Sequence, residues 1–167
     1  MELSFSADDV FEIAINMEAR GERFYQVAAS KAENEQLRQL FQSLSRDEVK
    51  HRARFEAKRE QRRIHLQKGG SPESERWLND FLQSWSDGKA FDGENPEEFA
   101  STQDVLTVLK KALELEREVV AFYIHLKEFM PTDEEAAWVD KIVKEEGQHC
   151  QKICRIIEWV EDTRRIR

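Results

Sequence analysis

The chain has 167 residues, which is the size of a single domain with a sizeable hydrophobic core. Charged residues make up 36% of it, whereas glycine and proline are scarce, and this composition is typical of helical proteins. A formal net charge of -8 argues against nucleic-acid and anionic-membrane partners, since both attract basic surfaces. We therefore expect one helical domain over residues 1–167 whose partners are metals, small molecules or proteins.

Targeting signals and cysteine motifs are absent from the sequence. Residues 1–10 lack the basic and apolar pattern of a signal peptide, and no apolar run is long enough to cross a membrane, so we predict a cytoplasmic protein. Cys150 and Cys154 are four residues apart in a predicted helix, a spacing that fits neither a disulfide framework nor a Cys-x-x-Cys metal site. We interpret them as small residues in or beside the core, with a redox role as the alternative.

Apolar residues recur at helical spacing in four long segments. The predicted helices cover, in chain order, residues of about 7–30, 34–66, 102–129 and 133–163. Ser6 and Asp9 offer an N-terminal cap for the first helix, and Thr132 with Glu135 forms a capping box for the fourth. Pro131 separates the third helix from the fourth.

The segment of about 67–101 is too long for a simple turn between the second and third helices. It includes an amphipathic stretch with Trp77, Phe81 and Trp85 at four-residue steps. We expect this stretch to cover the bundle, and a dimer contact is the alternative. The elements together predict an all-α, antiparallel four-helix bundle with one long crossover, and we expect a homo-oligomer, with a dimer favoured.

The two halves of the chain repeat one pattern at an offset of 98 residues. The offset superimposes Ala14 on Ala112, Glu18 on Glu116, Phe24-Tyr25 on Phe122-Tyr123, Glu48 on Glu146, and His51 on His149. Two of the four histidines thus take equivalent places, each three residues after a repeated glutamate. His65 and His125 have no such counterparts.

The repeated glutamates and histidines interrupt the apolar faces of the predicted helices. Residue 33 is midway between Glu18 and Glu48, and residue 131 is midway between Glu116 and Glu146; both midpoints fall at predicted turns. Residues equidistant from the turn of an antiparallel hairpin lie side by side, so all four glutamates can meet in one layer. Glu and His at positions i and i+3 project from the same helix face.

Four buried carboxylates need positive charge nearby, because an unpaired buried carboxylate costs several kcal/mol. Two divalent ions would neutralise the four glutamates. Mixed carboxylate and imidazole ligands favour iron or manganese, whereas calcium and magnesium sites are built from oxygen ligands. We therefore predict two metal ions, iron being favoured, with manganese, or zinc acquired on purification, as the alternatives.

The arrangement of these residues resembles the ferritin-like di-iron carboxylate superfamily, in which Glu on two helices combines with Glu-x-x-His on the other two. The segments Ala14–Glu18 with Phe24-Tyr25, and Ala112–Glu116 with Phe122-Tyr123, look like those of rubrerythrin-type members. The resemblance implies a ferritin-like bundle in which Glu48 and Glu146 can bridge the metals and Tyr25 and Tyr123 are neighbours of the ligands. The implied metal ligands are Glu18, Glu48, His51, Glu116, Glu146 and His149.

Two departures from the rubrerythrin pattern affect the expected function. Typical rubrerythrins have a further glutamate three residues after the ligand of the third helix, where this chain has Val119. They also carry a rubredoxin domain with two Cys-x-x-Cys pairs, which is not found in these 167 residues. The resemblance therefore does not secure a peroxidase activity, and it implies a separate electron-transfer protein as a partner.

The sequence leaves several functions open. The favoured one is a di-iron oxidoreductase, of peroxidase or ferroxidase type, that reacts with peroxide or dioxygen. The alternatives are an iron-binding protein for storage or delivery, a structural metal bundle without turnover, and, less favoured, a manganese catalase.

Overall fold

The computed structural model describes residues 7–66, 95–128, 130 and 132–165. The helices in these ranges are α1 (Ala7–Lys31), α2 (Glu35–Leu66), α3 (Pro96–Thr102), α4 (Val105–Glu128) and α5 (Asp133–Arg165). The four long helices match the predicted ones to within three residues at each end, which confirms the all-α fold. The predicted cap at Ser6 and the amphipathic stretch of residues 77–85 lie outside the described residues.

Side chains cap the helices that follow connections. Asn34 accepts a backbone N–H from the first turn of α2 at 2.8 Å. Thr132 accepts the N–H of Glu135 at 3.2 Å, which is one of the two hydrogen bonds of the predicted capping box of α5. Asp104 accepts a backbone N–H from the first turn of α4 at 3.1 Å. This cap explains why α4 begins at residue 105 and not near residue 102.

All but the last residue of the short helix α3 lie in the segment that the sequence assigned to the crossover. Pro96 occupies its first position, where a missing N–H removes no intrahelical hydrogen bond. The helix packs against α1, and Ala100 is buried in that contact. Seven residues are too few for a helical apolar period to be recognised, so the sequence analysis did not identify α3.

The long helices form two hairpins, α1 with α2 and α4 with α5. Two apolar clusters occupy the core of the bundle, one towards each end. The first contains Phe24, Tyr25, Phe41, Leu44, Leu109 and Ile153, with their neighbours. The second contains Phe11, Met17, Phe55, Phe122, Tyr123 and Ile142, with their neighbours. Along every long helix, the repeated glutamates and histidines lie between the residues of these two clusters.

Candidate metal centre

The six predicted ligands form a polar layer between the two apolar clusters. They are Glu18, Glu48, His51, Glu116, Glu146 and His149, and each is at most 4% exposed. Their helical spacing from the surrounding apolar residues places them on the inward faces of four different helices. Ionisable groups at this depth require compensating partners.

Ligand atoms of the six residues form two overlapping groups, and within each group they lie within 4.8 Å of one another. One group consists of Glu18, Glu48, His51 and Glu146, and the other of Glu48, Glu116, Glu146 and His149. The two groups are related by the 98-residue repeat. Glu48 and Glu146 belong to both groups, which is the arrangement that a bridging carboxylate needs.

Both histidines direct Nδ1 into the layer and Nε2 away from it. His51 Nδ1 lies 2.6 Å from Glu146 Oε1, and its Nε2 lies 2.8 Å from Glu145 Oε2. His149 Nδ1 lies 2.8 Å from Glu146 Oε2, and its Nε2 lies 3.5 Å from Asp47 Oδ2. A carboxylate beside the outer nitrogen orients the ring and makes the inner nitrogen a better metal ligand.

Glu145 and Asp47 are functional candidates that the sequence analysis missed. Each directly precedes a repeated glutamate, and each is only partly exposed. The 98-residue offset superimposes the two, so the same repeat that identified the ligands contained a signal for them. Each acidic residue lies beside the histidine of the other hairpin, and this pairing appears only when the hairpins are assembled.

Six buried atoms in the layer form no hydrogen bond with any described residue. They are Glu18 Oε2, Glu48 Oε1, both carboxylate oxygens of Glu146, and Nδ1 of His51 and of His149. Some of these atoms approach one another closely, but not with hydrogen-bond geometry. Buried polar atoms are rarely left without partners. Their convergence, and their mixture of oxygen and nitrogen, fits a pair of divalent metal ions.

The electrostatics of the metal-free layer favour bound protons. Burial raises the pKa of Glu48 well above its usual range, and neighbouring carboxylates add to the shift. Burial also raises the pKa of Glu116, to about 7. Burial would also raise the pKa of Glu146, but the adjacent His149 and His51 lower this pKa to about 2. Burial would lower the pKa values of His51 and His149, but adjacent carboxylates raise both to about 10. Metal ions must therefore displace protons to bind.

Two tyrosines connect the hairpins beside this layer. The Tyr25 hydroxyl donates a hydrogen bond to Glu116, and the Tyr123 hydroxyl donates one to Glu18. Burial raises the pKa of both phenols well above its usual range, so both remain protonated donors. The structure thus places each tyrosine beside a predicted ligand of the opposite hairpin.

A small cavity of about 20 Å³ lies between α1 and α4 beside Glu48. Gly21 borders it, and a Cβ atom at this glycine would lie 3.2 Å from Glu48 Oε2. Val119, which is equivalent to Gly21 in the repeat, borders the same cavity. The position of the additional rubrerythrin glutamate therefore contributes an apolar wall in this chain. The volume is sufficient for one water molecule or a ligand of similar size.

The remaining histidines and the cysteines lie outside the two ligand groups. His125 is exposed, and its ring donates a hydrogen bond to the carbonyl of Ala121 at 2.7 Å. His65 belongs to α2, but its side chain lies outside the described part of the structure. Cys150 and Cys154 are partly buried and form no disulfide. Burial raises the pKa of Cys150 to about 11, so it is a protonated thiol at neutral pH.

Comparison with protein families gives a match that spans both halves of the repeat. The rubrerythrin family model matches residues 9–156. The chain belongs to the rubrerythrin family. Membership in this family and the buried Glu and His cluster both fit the binding of a metal pair.

The fold is similar to that of a solved Thermotoga maritima protein, provisionally described as a ferritin-like diiron-carboxylate protein. The two share 20% sequence identity with a TM-score of 0.66, over 95% of this chain and 98% of the other. This likeness confirms the ferritin-like fold. Comparison with curated protein sequences gave no significant match. None of the described helices has an apolar stretch of the length that a membrane crossing requires.

Proposed function

We propose that this rubrerythrin-family protein holds a pair of iron ions and reduces hydrogen peroxide or dioxygen with electrons from ferrous iron. The observation that carries the proposal is the set of six converging, buried atoms without hydrogen bonds. Glu18 with His51, and Glu116 with His149, would each bind one ion, and Glu48 with Glu146 would bind both. Mixed carboxylate and imidazole ligands suit iron and manganese. Iron is proposed because the similar Thermotoga maritima protein is described as a diiron-carboxylate protein.

The iron pair, when bound, supplies two electrons and an open coordination position. Reduction of one peroxide to two waters consumes these two electrons and two protons. Tyr25 and Tyr123 hold one carboxylate of each group through their hydroxyls, and so limit the movement of Glu116 and Glu18. The cavity beside Glu48 offers space for a small oxidant. Val119 brings no additional carboxylate to this cavity, so we expect one fixed set of six ligands.

The electron donor is proposed to be a separate electron-transfer protein. The 167 residues contain two cysteines, and these do not form a Cys-x-x-Cys pair, so a rubredoxin-type centre cannot be built from them. A dinucleotide-binding glycine motif is also absent from the sequence. We therefore propose that NADH alone sustains no cycle. A cytoplasmic location and a homodimer remain predictions.

Anaerobic loading with Fe(II) followed by stopped-flow mixing tests this function. We expect two iron ions per chain, rapid oxidation by peroxide in a single turnover, and no NADH consumption until an electron-transfer protein is added. Fewer than one ion per chain would reject the metal pair. Diferrous protein that is inert to both peroxide and dioxygen would replace this proposal with iron storage or delivery, or with a structural metal bundle. Many turnovers with NADH alone would reject the separate donor.

A further inference from the structure

Three aromatic side chains form a continuous series of contacts that ends at the ligand layer. Trp138 packs edge-on against Phe55, with ring centroids 5.2 Å apart and an interplanar angle of 86°. Phe55 stacks on Tyr123, with centroids 5.0 Å apart and an angle of 30°. The hydroxyl of Tyr123 donates its hydrogen bond to Glu18. The series therefore joins Trp138 to a proposed metal ligand.

The outer end of this series reaches solvent and the inner end does not. Trp138 is partly exposed, whereas Phe55 and Tyr123 are fully buried. The ammonium group of Lys58, which is itself partly exposed, lies 5.9 Å from the centre of the Trp138 ring. Indole and phenol lose one electron far more readily than a phenyl ring does. Trp138 and Tyr123 can therefore be oxidised transiently, with Phe55 as the bridge between them.

The other half of the repeat lacks this series. Leu40 stands where the second half has Trp138, and Ile153 stands at the position equivalent to Phe55. Among the described residues, the rings in contact with Tyr25 are those of Phe24 and Phe41, at centroid distances of 5.3 Å and 6.2 Å. Both halves supply the same ligands and a tyrosine, so metal binding does not require the tryptophan.

We infer that Trp138, Phe55 and Tyr123 carry single electrons between the protein surface and the Glu18 end of the ligand layer. Complete reduction of dioxygen to two waters takes four electrons, of which ferrous iron supplies two. Tyr123 gives dioxygen one of the remaining electrons, and its phenolic proton passes to Glu18. Trp138 then gives one electron through Phe55 to the tyrosyl radical, which recovers its proton from Glu18. A reduced electron-transfer protein returns one electron to Trp138. This direction rests on the proposed function, whereas the path itself does not depend on iron.

Pulse radiolysis of the full-length protein, metal-free and loaded with zinc, tests the path without any enzyme activity. Azide radicals each take one electron from a tryptophan and become azide, and the oxidised indole releases a proton to water. The Tyr25→Phe variant is the reference because Tyr123 is then its single tyrosine. We expect tryptophanyl absorption to decay as tyrosyl absorption grows, in a first-order phase whose rate does not depend on protein concentration.

Matched variants in the same background identify the residues involved. Trp138→Phe should abolish the first-order phase, although three other tryptophans remain to be oxidised. Phe55→Leu should slow it, because this change leaves both redox-active side chains but removes the ring between them. Trp159→Phe is the control, since Trp159 is 40% exposed and contacts no aromatic ring among the described residues. It should leave the phase unchanged.

Equal first-order phases in the Trp138→Phe and Trp159→Phe proteins would overturn the path. Circular dichroism and zinc binding show whether the Trp138→Phe protein folds. If it does not, the Phe55→Leu protein provides the test, and an unchanged rate of its first-order phase would overturn the path. The two kinds of experiment distinguish failure of the proposed function from failure of the path. A positive radiolysis result with inert diferrous protein would reject the oxidoreductase and keep the path, and the converse result would reject only the path.

Discussion

The two hairpins of the bundle supply the same proposed ligands but differ in what surrounds them. Each supplies a glutamate, a Glu-x-x-His pair, an acidic residue beside the opposite histidine, and a tyrosine. The surroundings differ at Gly21 and Val119, which border one cavity, and at Leu40 and Trp138, of which only the tryptophan belongs to an aromatic series. The polar layer is thus built from both halves alike, whereas the cavity and the aromatic series each contain residues that the repeat does not duplicate.

The hairpins also differ electrostatically at their two shared carboxylates. Both histidine Nδ1 atoms lie within 2.8 Å of Glu146, whereas His149 Nδ1 is 3.4 Å from Glu48. The pKa of Glu146 is therefore lowered, and that of Glu48, dominated by burial, is raised. Two residues that are equivalent in the repeat thus hold different charges in the metal-free protein.

Removal of a shared carboxylate should have the largest effect. Glu48→Ala and Glu146→Ala each take a ligand from both groups, so we expect each to abolish the paired site, as measured by metal content after anaerobic loading. Glu18→Ala, which affects one group, should retain part of the binding. His125→Ala is the control, because that side chain is exposed and lies outside both groups. Comparable losses in the His125→Ala protein would show that the repeat had been misinterpreted.

Removal of the metals should make stability depend on pH. His51 and His149 titrate near 6.5 when unfolded and near 10 in the folded metal-free protein, so between these values the folded state binds more protons. The free energy of unfolding should therefore fall as the pH rises from about 7 to about 10. Denaturant unfolding at a series of pH values measures this slope. Zinc-loaded protein is the control, and equal slopes with and without zinc would contradict the assignment.

Substitution of the acidic neighbours should weaken metal binding by about 10- to 100-fold, the usual effect of losing such a partner. We expect Glu145→Gln to have a larger effect than Asp47→Asn, because Glu145 is 2.8 Å from its histidine and Asp47 is 3.5 Å away. Competition titration with a chelator measures both affinities. Glu114→Gln is the matched control, since this exposed glutamate pairs with Lys111 and lies outside the layer. Equal affinities in all three variants would reject the orienting role.

Two glycine substitutions should give the smallest effects and separate crowding from helix propensity. Alanine is favoured over glycine within a helix by about 1 kcal/mol. Gly147→Ala should realise this gain, because a Cβ atom there meets nothing within 4 Å. Gly21→Ala should raise the free energy of unfolding by less, and this variant should bind metal more weakly, because the alanine Cβ would lie 3.2 Å from Glu48 Oε2. Thermal unfolding and metal titration of both variants check this contrast, and identical behaviour would show that Glu48 adjusts freely.

Most of the fold could be predicted because the long helices carry a clear apolar period and recognisable caps. The six residues of the ligand layer could be predicted for a related reason. Burying charged residues on an apolar helix face costs free energy. Because these residues recur at one offset in both halves, a coincidental placement is improbable. The short helix α3 could not be predicted, because its seven residues are fewer than the pattern needs. Asp47 and Glu145 were missed because acidic residues on helices are usually exposed to solvent.

Helical periodicity and distance from a turn are local properties of the chain, so they specify the helical class, the two hairpins and the residues that share a layer. How the hairpins meet depends instead on packing between the helices. This packing placed each tyrosine on a glutamate of the opposite hairpin, set each histidine beside an acid of the other half, and joined Trp138 to Tyr123 through Phe55. These contacts join residues that are distant in the sequence, and packing between helices specifies them.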